Sequence, residues 1–124
     1  MNFSEFGLHP DLLDGIDALN FTTATPIQER AIPIILAGKD IIGTAQTGTG
    51  KTAAFSLPSL HLLAAEPAPR RNAACRMLVL SPTRELAAQI AENMRGYARY
   101  LNLSVQCVFG GIPVGKQARA LVPG

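Results

Sequence analysis

The chain has 124 residues, of which 48% are apolar and only 16% are charged, whereas an average soluble domain carries roughly 25% charged residues. This length fits one small domain, and the high apolar content excludes a disordered chain, because disorder requires low hydrophobicity and high net charge. No uncharged apolar run approaches the roughly 18 residues of a membrane span, although the mean hydropathy is as high as +0.19.

The charge is unevenly divided along the chain. Residues 1–62 carry six acidic and three basic side chains, whereas residues 63–124 carry three acidic and eight basic ones. A basic half is compatible with a polyanionic partner, and a chance imbalance on a solvated surface explains it equally well. Cys75 and Cys107 match no zinc-ligand spacing, so we expect buried free thiols. No charged-then-apolar leader follows Met1, and we expect a cytoplasmic protein.

The first part of the chain predicts two helices. Apolar residues between Leu12 and Leu19 recur at helical spacing, with aspartates on the opposite side. Thr25 suits the N-cap of a second helix, a proline occupies the first helical position after it, and Gln28 completes a capping box. Gly38 is expected to end this helix.

Three apolar runs further along predict β-strands, at Asp40–Ala45, Arg76–Ser81 and Leu103–Phe109. Helices are expected between the strands, and Ala64–Ala74 reads as a surface loop. Strands that alternate with helices favour parallel βαβ units, an α/β fold with a parallel sheet and flanking helices.

The two helices of the βαβ units are expected to start at about Gly50 and after Thr83, the second of them reaching about Leu101. A short helix is expected near Val114. In parallel sheets, ligands bind beyond the carboxyl ends of the strands. The glycine-rich segment after Ala45, the Pro82-Thr83 turn and Gly110-Gly111 directly follow the ends of the three predicted strands.

The segment Ala45–Thr52 fits a phosphate-binding loop, with alanine in place of the first glycine of the usual pattern. Gly48 and Gly50 allow backbone N–H groups to approach phosphate oxygens, and the following helix N-terminus adds partial positive charge. Lys51 would reach the β- and γ-phosphates, and the Thr52 hydroxyl would bind Mg²⁺.

The loop alone does not specify the reaction, because kinases, GTPases, transporters and helicases all use it. Beyond the loop the only acidic residues are Glu66, Glu85 and Glu92; Glu66 lies in a predicted loop and the other two on a predicted helix, so none stands at the end of a predicted strand. With no second Mg²⁺ anchor, we expect these 124 residues to bind nucleotide without hydrolysing it.

Several motifs together resemble the start of a DEAD-box RNA helicase of superfamily 2, over essentially the whole chain from Phe3. The loop Ala45–Thr52 has the form typical of that family. Phe21 and Thr25–Gln28 resemble its Q motif, Pro82–Leu86 its motif Ia, and Gly110-Gly111 its GG motif.

The resemblance implies a partial RecA-like P-loop domain, with residues 1–124 as the N-terminal part of the first RecA-like domain, a Q-motif region at 1–38, and no second RecA-like domain. It also implies ATP or ADP with Mg²⁺ as cofactors, Lys51 and Thr52 as catalytic residues, and an RNA backbone as partner. In this family the Q-motif glutamine reads adenine and the isolated upstream aromatic stacks near the base. The residues implied in nucleotide binding are Phe3, Phe21, Thr25, Gln28, Gln46, Thr47, Gly48, Thr49, Gly50, Lys51, Thr52 and Ala53, and those implied in RNA binding are Pro82, Thr83, Arg84, Gly110 and Gly111.

The sequence departs from the family pattern in places. Asn20 and Ala24 replace the usual glycine and proline of the Q motif, and the Asp-Glu-Ala-Asp motif is absent. A small-molecule P-loop kinase and a non-enzymatic nucleotide- or RNA-binding module remain as alternatives. Because a partial sheet leaves strands without neighbours, we also expect self-association through its edge.

Overall fold

The computed structural model describes residues 1–66, 75–111 and 113–121. After a 3-10 turn at Phe3–Phe6, this part of the chain forms helices α1 (Pro10–Ala18), α2 (Pro26–Leu36), α3 (Lys51–Ala65), α4 (Arg84–Tyr97) and α5 (Val114–Leu121). Most of the predicted loop at Ala64–Ala74 lies outside the described residues.

The helices begin where the capping residues predicted them to begin. Thr25 precedes α2, and its backbone N–H donates to Oε1 of Gln28 at 2.9 Å, which is one half of the predicted capping box. Thr83 precedes α4, and its hydroxyl accepts from the N–H of Leu86 at 3.1 Å. Both N-caps are therefore confirmed, whereas α4 ends at Tyr97, one turn before the predicted Leu101.

The core lies among the 3-10 turn and helices α1 to α4. Gly15 on α1 sets the approach of α1 to α4, because a Cβ atom at this position would collide with the carbonyl oxygen of Tyr97. Tyr97 belongs to the same core, and burial raises the pKa of its side chain. The largest fully buried apolar side chains are Leu12, Ile16, Ile32, Leu57, Pro58 and Leu60.

The three predicted strands do not form a sheet within the described residues. No β-strand is assigned there, and no backbone hydrogen bond joins any two of the segments Asp40–Ala45, Arg76–Ser81 and Leu103–Phe109. The formation of these strands was therefore wrongly predicted for this part of the chain. A parallel ladder requires a neighbouring strand within about 4.8 Å, and an apolar run carries no information on which segment will be that neighbour.

The segments nevertheless keep the side-chain alternation of strands. Met77 and Val79 pack on the core, whereas Leu78 and Leu80, which alternate with them, are 76% and 85% exposed. Exposure alternates in the same way from residue 103 to residue 109. Because side chains along an extended segment alternate with a period of two, one face of each segment packs inward and the other face is exposed.

Two further predictions concern the cysteines and the membrane. Both cysteines are free, but the prediction that they are buried is wrong for Cys75, which is exposed, and Cys107 is half-buried. Within the described ranges, no helix has the length and apolar character needed to cross a bilayer.

We predict that Gly15→Ala destabilises the protein by about 1–3 kcal/mol, because the added methyl group forces α1 away from α4. At an exposed helix position, a glycine-to-alanine change stabilises by about 1 kcal/mol. The sign of the change in unfolding free energy therefore shows whether α1 packs closely on α4. Urea unfolding followed by circular dichroism measures the difference. Asp14→Ala, on an exposed position of the same helix, is the matched control, and equal stability of the two variants would contradict the packing.

Candidate functional site

The loop Ala45–Thr52 forms a tight turn directly before α3. Gly48 and Gly50 have φ values of +83° and +86°, a left-handed conformation that favours glycine. The hydroxyl of Thr49 donates to the carbonyl of Gln46 at 2.6 Å and closes the turn. A Cβ atom on Gly48 would meet no atom within 4 Å, so open space lies over this part of the loop.

Helix α2 holds this loop through two side chains. Nε2 of Gln28 donates to the carbonyl of Gly50 at 3.1 Å, and the hydroxyl of Thr25 donates to the carbonyl of Thr49 at 2.7 Å. Gln28 is only 3% exposed, and its Oε1 already accepts from the backbone of Thr25. The predicted Q-motif residues therefore bind the loop itself, with Gln28 serving both as capping residue and as link to the loop.

Gly50 makes this contact sterically feasible. A Cβ atom on Gly50 would collide with Nε2 of Gln28 and would lie 3.2 Å from Oγ1 of Thr25. Two separate constraints therefore favour glycine at this position: its positive φ and the close approach of α2.

A cavity of about 950 Å³ opens beside the loop. Every predicted nucleotide-binding residue lines it except Gln46 and Thr49. Lys51 is exposed at the start of α3, and within the described residues no carboxylate pairs with it. An unpaired ammonium, a helix N-terminus and a left-handed glycine turn form an environment that suits phosphate groups.

The predicted aromatic residues meet but differ in exposure. The rings of Phe3 and Phe21 lie 6.2 Å apart between centroids at an interplanar angle of 27°, and Tyr97 is 5.9 Å from Phe21. Phe3 is 3% exposed, whereas Phe21 is 36% exposed. Phe21 therefore offers ring surface to a ligand, and Phe3 lies behind it in the core.

The predicted RNA-binding residues converge from two distant parts of the chain. Pro82, Thr83 and Arg84 are exposed at the start of α4, with the Thr83 hydroxyl used as the helix cap. Nη2 of Arg84 donates to the carbonyl of Gly110 at 2.8 Å. The turn Gly110-Gly111 is thus attached to the start of α4.

Sequence reasoning missed three polar residues at these sites. Gln89 and Asn93 on α4 line the cavity beside the loop, and Oε1 of Gln117 accepts from the N–H of Phe109 at 2.6 Å. The spacing of four between Gln89 and Asn93 places them on one helix face and was the available signal. No group of three or more potential metal ligands occurs among the described residues.

Comparison with known proteins links these features to a family. The family model described as DEAD/DEAH box helicase matches residues 25–123. The DEAD-box ATP-dependent RNA helicase CshA of Streptococcus pneumoniae serotype 4 is 47% identical over 124 residues, which are 100% of this chain and 23% of that protein. The ATP-dependent rRNA helicase RRP3 of Lodderomyces elongisporus is 47% identical over 123 residues, covering 98% of this chain and 23% of that protein.

Solved structures give the same result for the fold. The RNA helicase Prp28 from Chaetomium thermophilum, bound to ADP, matches with a TM-score of 0.88 at 43% identity, over 99% of this chain and 30% of that one. A DEAD box protein from Methanococcus jannaschii matches with a TM-score of 0.86 at 33% identity, over 100% of this chain and 33% of that one. These neighbours confirm the predicted fold class, a partial RecA-like domain.

The chain spans about a quarter of the length of the curated relatives that it matches. The family model nevertheless covers most of the chain, including the loop held by α2 and the Gly110-Gly111 turn held by Arg84. The chain therefore belongs to the DEAD/DEAH box helicase family.

Proposed function

We propose that the chain is the ATP-binding portion of an ATP-dependent RNA helicase that unwinds or remodels RNA duplexes. The observation that carries the proposal is the left-handed glycine turn, held in place by α2 and open toward a cavity with the unpaired Lys51 at its edge. The ADP in the Prp28 relative and the names of the relatives support a nucleotide in this cavity.

In this proposal the phosphates lie over the loop. The backbone N–H groups of residues 46–53 bind phosphate oxygens, and the Lys51 ammonium reaches the β- and γ-phosphates. The Thr52 hydroxyl, half-buried at the cavity wall, is the Mg²⁺ ligand. Mg²⁺, when bound, neutralises charge on the β- and γ-phosphate oxygens.

The adenine lies against the Q-motif residues. One N–H of the Gln28 carboxamide donates to Gly50, and one lone pair of its oxygen accepts from Thr25. A carboxamide has one further N–H and one further lone pair. These remaining groups would bind the adenine edge. Phe21 supplies the stacking surface, and Phe3 supports it from the core.

The same residues are not expected to turn over ATP by themselves. Hydrolysis of this kind uses an acidic residue near the Mg²⁺ and the phosphates. Of the acidic residues after the loop, Glu66 follows the last turn of α3, and Glu85 and Glu92 lie exposed on α4. None of them lines the cavity, so the chain is proposed to bind adenine nucleotide without hydrolysing it.

RNA is proposed to bind where the start of α4 meets the Gly110-Gly111 turn. Contacts there would be made to the sugar-phosphate backbone and would be largely independent of sequence. The excess of basic residues in the second half of the chain supports a polyanionic partner. The free cysteines are compatible with a reducing compartment, and the proposed location is the cytoplasm.

The proposed function predicts that the chain binds ADP more tightly than GDP. Isothermal titration calorimetry with the two nucleotides measures the difference, because the cavity offers the Gln28 carboxamide to the base and the same loop to both diphosphates. Equal affinity for ADP and GDP would remove the adenine assignment.

Lys51→Ala serves as the internal check on the phosphate site. Loss of a hydrogen bond to a charged group costs about 1.5–3 kcal/mol, so we expect ADP affinity to fall by about 10- to 150-fold and adenosine affinity to stay nearly constant. Lys39→Ala, which removes an exposed lysine just after α2, is the matched control and is expected to leave both affinities unchanged.

We predict that Gly50→Ala lowers ADP affinity at least as strongly as Lys51→Ala does, because the added methyl group displaces Gln28 and Thr25 from the loop. Gly38→Ala is the matched control: its φ of +78° imposes the same backbone strain, of about 1–2 kcal/mol, but its Cβ atom would meet nothing within 4 Å. Calorimetry on both variants, with stability measured in parallel, separates strain from the loss of the α2 contact. Similar ADP affinities for the two variants would contradict the role of α2.

We also propose that the 124-residue chain associates with itself through its bare strand-like segments, where Leu78, Leu80 and Ile42 are 76%, 85% and 97% exposed. The double variant Leu78→Lys/Leu80→Lys is expected to shift the light-scattering mass toward that of a monomer at high concentration. Val114→Lys, on α5 and 77% exposed, is the control and should leave the mass unchanged. A monodisperse wild-type monomer would contradict the proposal.

A further inference from the structure

The Gly110-Gly111 turn is fastened on one side by Arg84. This arginine is the first residue of α4, and its Nη2 donates to the Gly110 carbonyl across 26 residues of sequence. The guanidinium also lies against Gly111, where an added Cβ atom would be 2.5 Å from Nη2. Gly111 has a φ of +79°, so its conformation favours glycine, and an added Cβ atom would displace the guanidinium.

The turn is fastened on its other side by Gln117 of α5. Its Oε1 accepts from the N–H of Phe109, the residue just before the turn, at 2.6 Å. Arg84 binds the carbonyl of Gly110, and Gln117 binds the N–H of Phe109. Side chains from two different helices therefore hold the backbone on both sides of the peptide bond that joins Phe109 to Gly110.

The amides of the turn itself are left available. Across the described ranges, the N–H groups of Gly110 and Gly111 donate to no protein acceptor. Adjacent backbone N–H groups in a tight turn are suited to bind an anionic oxygen. The arginine, in contrast, already directs its guanidinium at a backbone carbonyl.

We infer that Arg84 is a positioning residue: together with Gln117 it holds the Gly110-Gly111 turn so that the turn's backbone amides, rather than the guanidinium, contact an RNA phosphate. The inference rests on the proposed RNA-binding function. It assigns Arg84 a role different from the direct RNA contact that the family resemblance implied.

The first test uses the salt dependence of RNA binding. Fluorescence anisotropy with a labelled single-stranded oligouridylate, over a series of KCl concentrations, gives the slope of log K against log salt for the wild type and for Arg84→Ala. A direct phosphate contact contributes about 0.7 to this slope for a single strand. We expect Arg84→Ala to weaken binding about tenfold, as for loss of a charge-assisted hydrogen bond, and to leave the slope unchanged. A slope reduced by about 0.7 would overturn the inference.

The second test is a double-mutant cycle with Gly111→Ala, which displaces the guanidinium but leaves its charge in place. If Arg84 acts through the turn, the double variant binds RNA no more weakly than the worse single variant, because both changes break the same contact. Additive losses would overturn the inference.

The third test does not depend on RNA. Amide hydrogen exchange by NMR is expected to quicken at Phe109 in Arg84→Ala, since the turn loses one of its two attachments. Glu92→Ala, which removes an exposed side chain elsewhere on α4, is the control and is expected to leave exchange at Phe109 unchanged. Unchanged exchange at Phe109 in Arg84→Ala would overturn the inference. Absence of RNA binding by the wild type would instead contradict the proposed function.

Discussion

Two hydrogen bonds from helix α2 to the glycine loop are the constraint on which the candidate site depends. Gln28 and Thr25 donate to the carbonyls of Gly50 and Thr49, at 3.1 and 2.7 Å. Because Gly50 is also the residue from which α3 starts, these bonds fix the loop and the direction of α3 together. The proposed phosphate site is thus preorganised by a neighbouring helix, which would lower the ordering cost of nucleotide binding.

The same constraint would connect the two parts of the proposed nucleotide site, the base and the phosphates. Gln28 is buried and bound to the loop, so any ligand that binds its remaining N–H and lone pair contacts a side chain whose position determines the loop. A change of base would then alter the geometry around the phosphates as well. At the other site, Arg84 joins the start of α4 to the Gly110-Gly111 turn in a comparable way. In both cases a side chain at a helix start donates to the carbonyl of a glycine.

Local sequence signals predicted the local features correctly. The N-caps Thr25 and Thr83 and the glycine loop depend on neighbouring residues only, and capping and positive-φ preferences report them directly. Pairing of the strands depends on which segments become neighbours, and no short pattern encodes this. The links from Gln28 to Gly50 and from Arg84 to Gly110 are invisible for the same reason: each side chain reaches a backbone atom more than 20 residues away. The exposed Leu78 and Leu80 show that their segment keeps the side-chain alternation of a strand, although no strand pairs with it within the described residues.

The most direct measurement of the central claim is amide hydrogen exchange at Ala54 in the wild type and in Gln28→Ala, without nucleotide. The N–H of Ala54 donates to the Gly50 carbonyl at 3.1 Å, the same carbonyl that Gln28 binds. If α2 holds the loop, removing the carboxamide loosens the first turn of α3, and exchange at Ala54 quickens while exchange at Leu60, deeper in the same helix, stays constant. Unchanged exchange at Ala54 would contradict the account, because the loop would then keep its shape without α2.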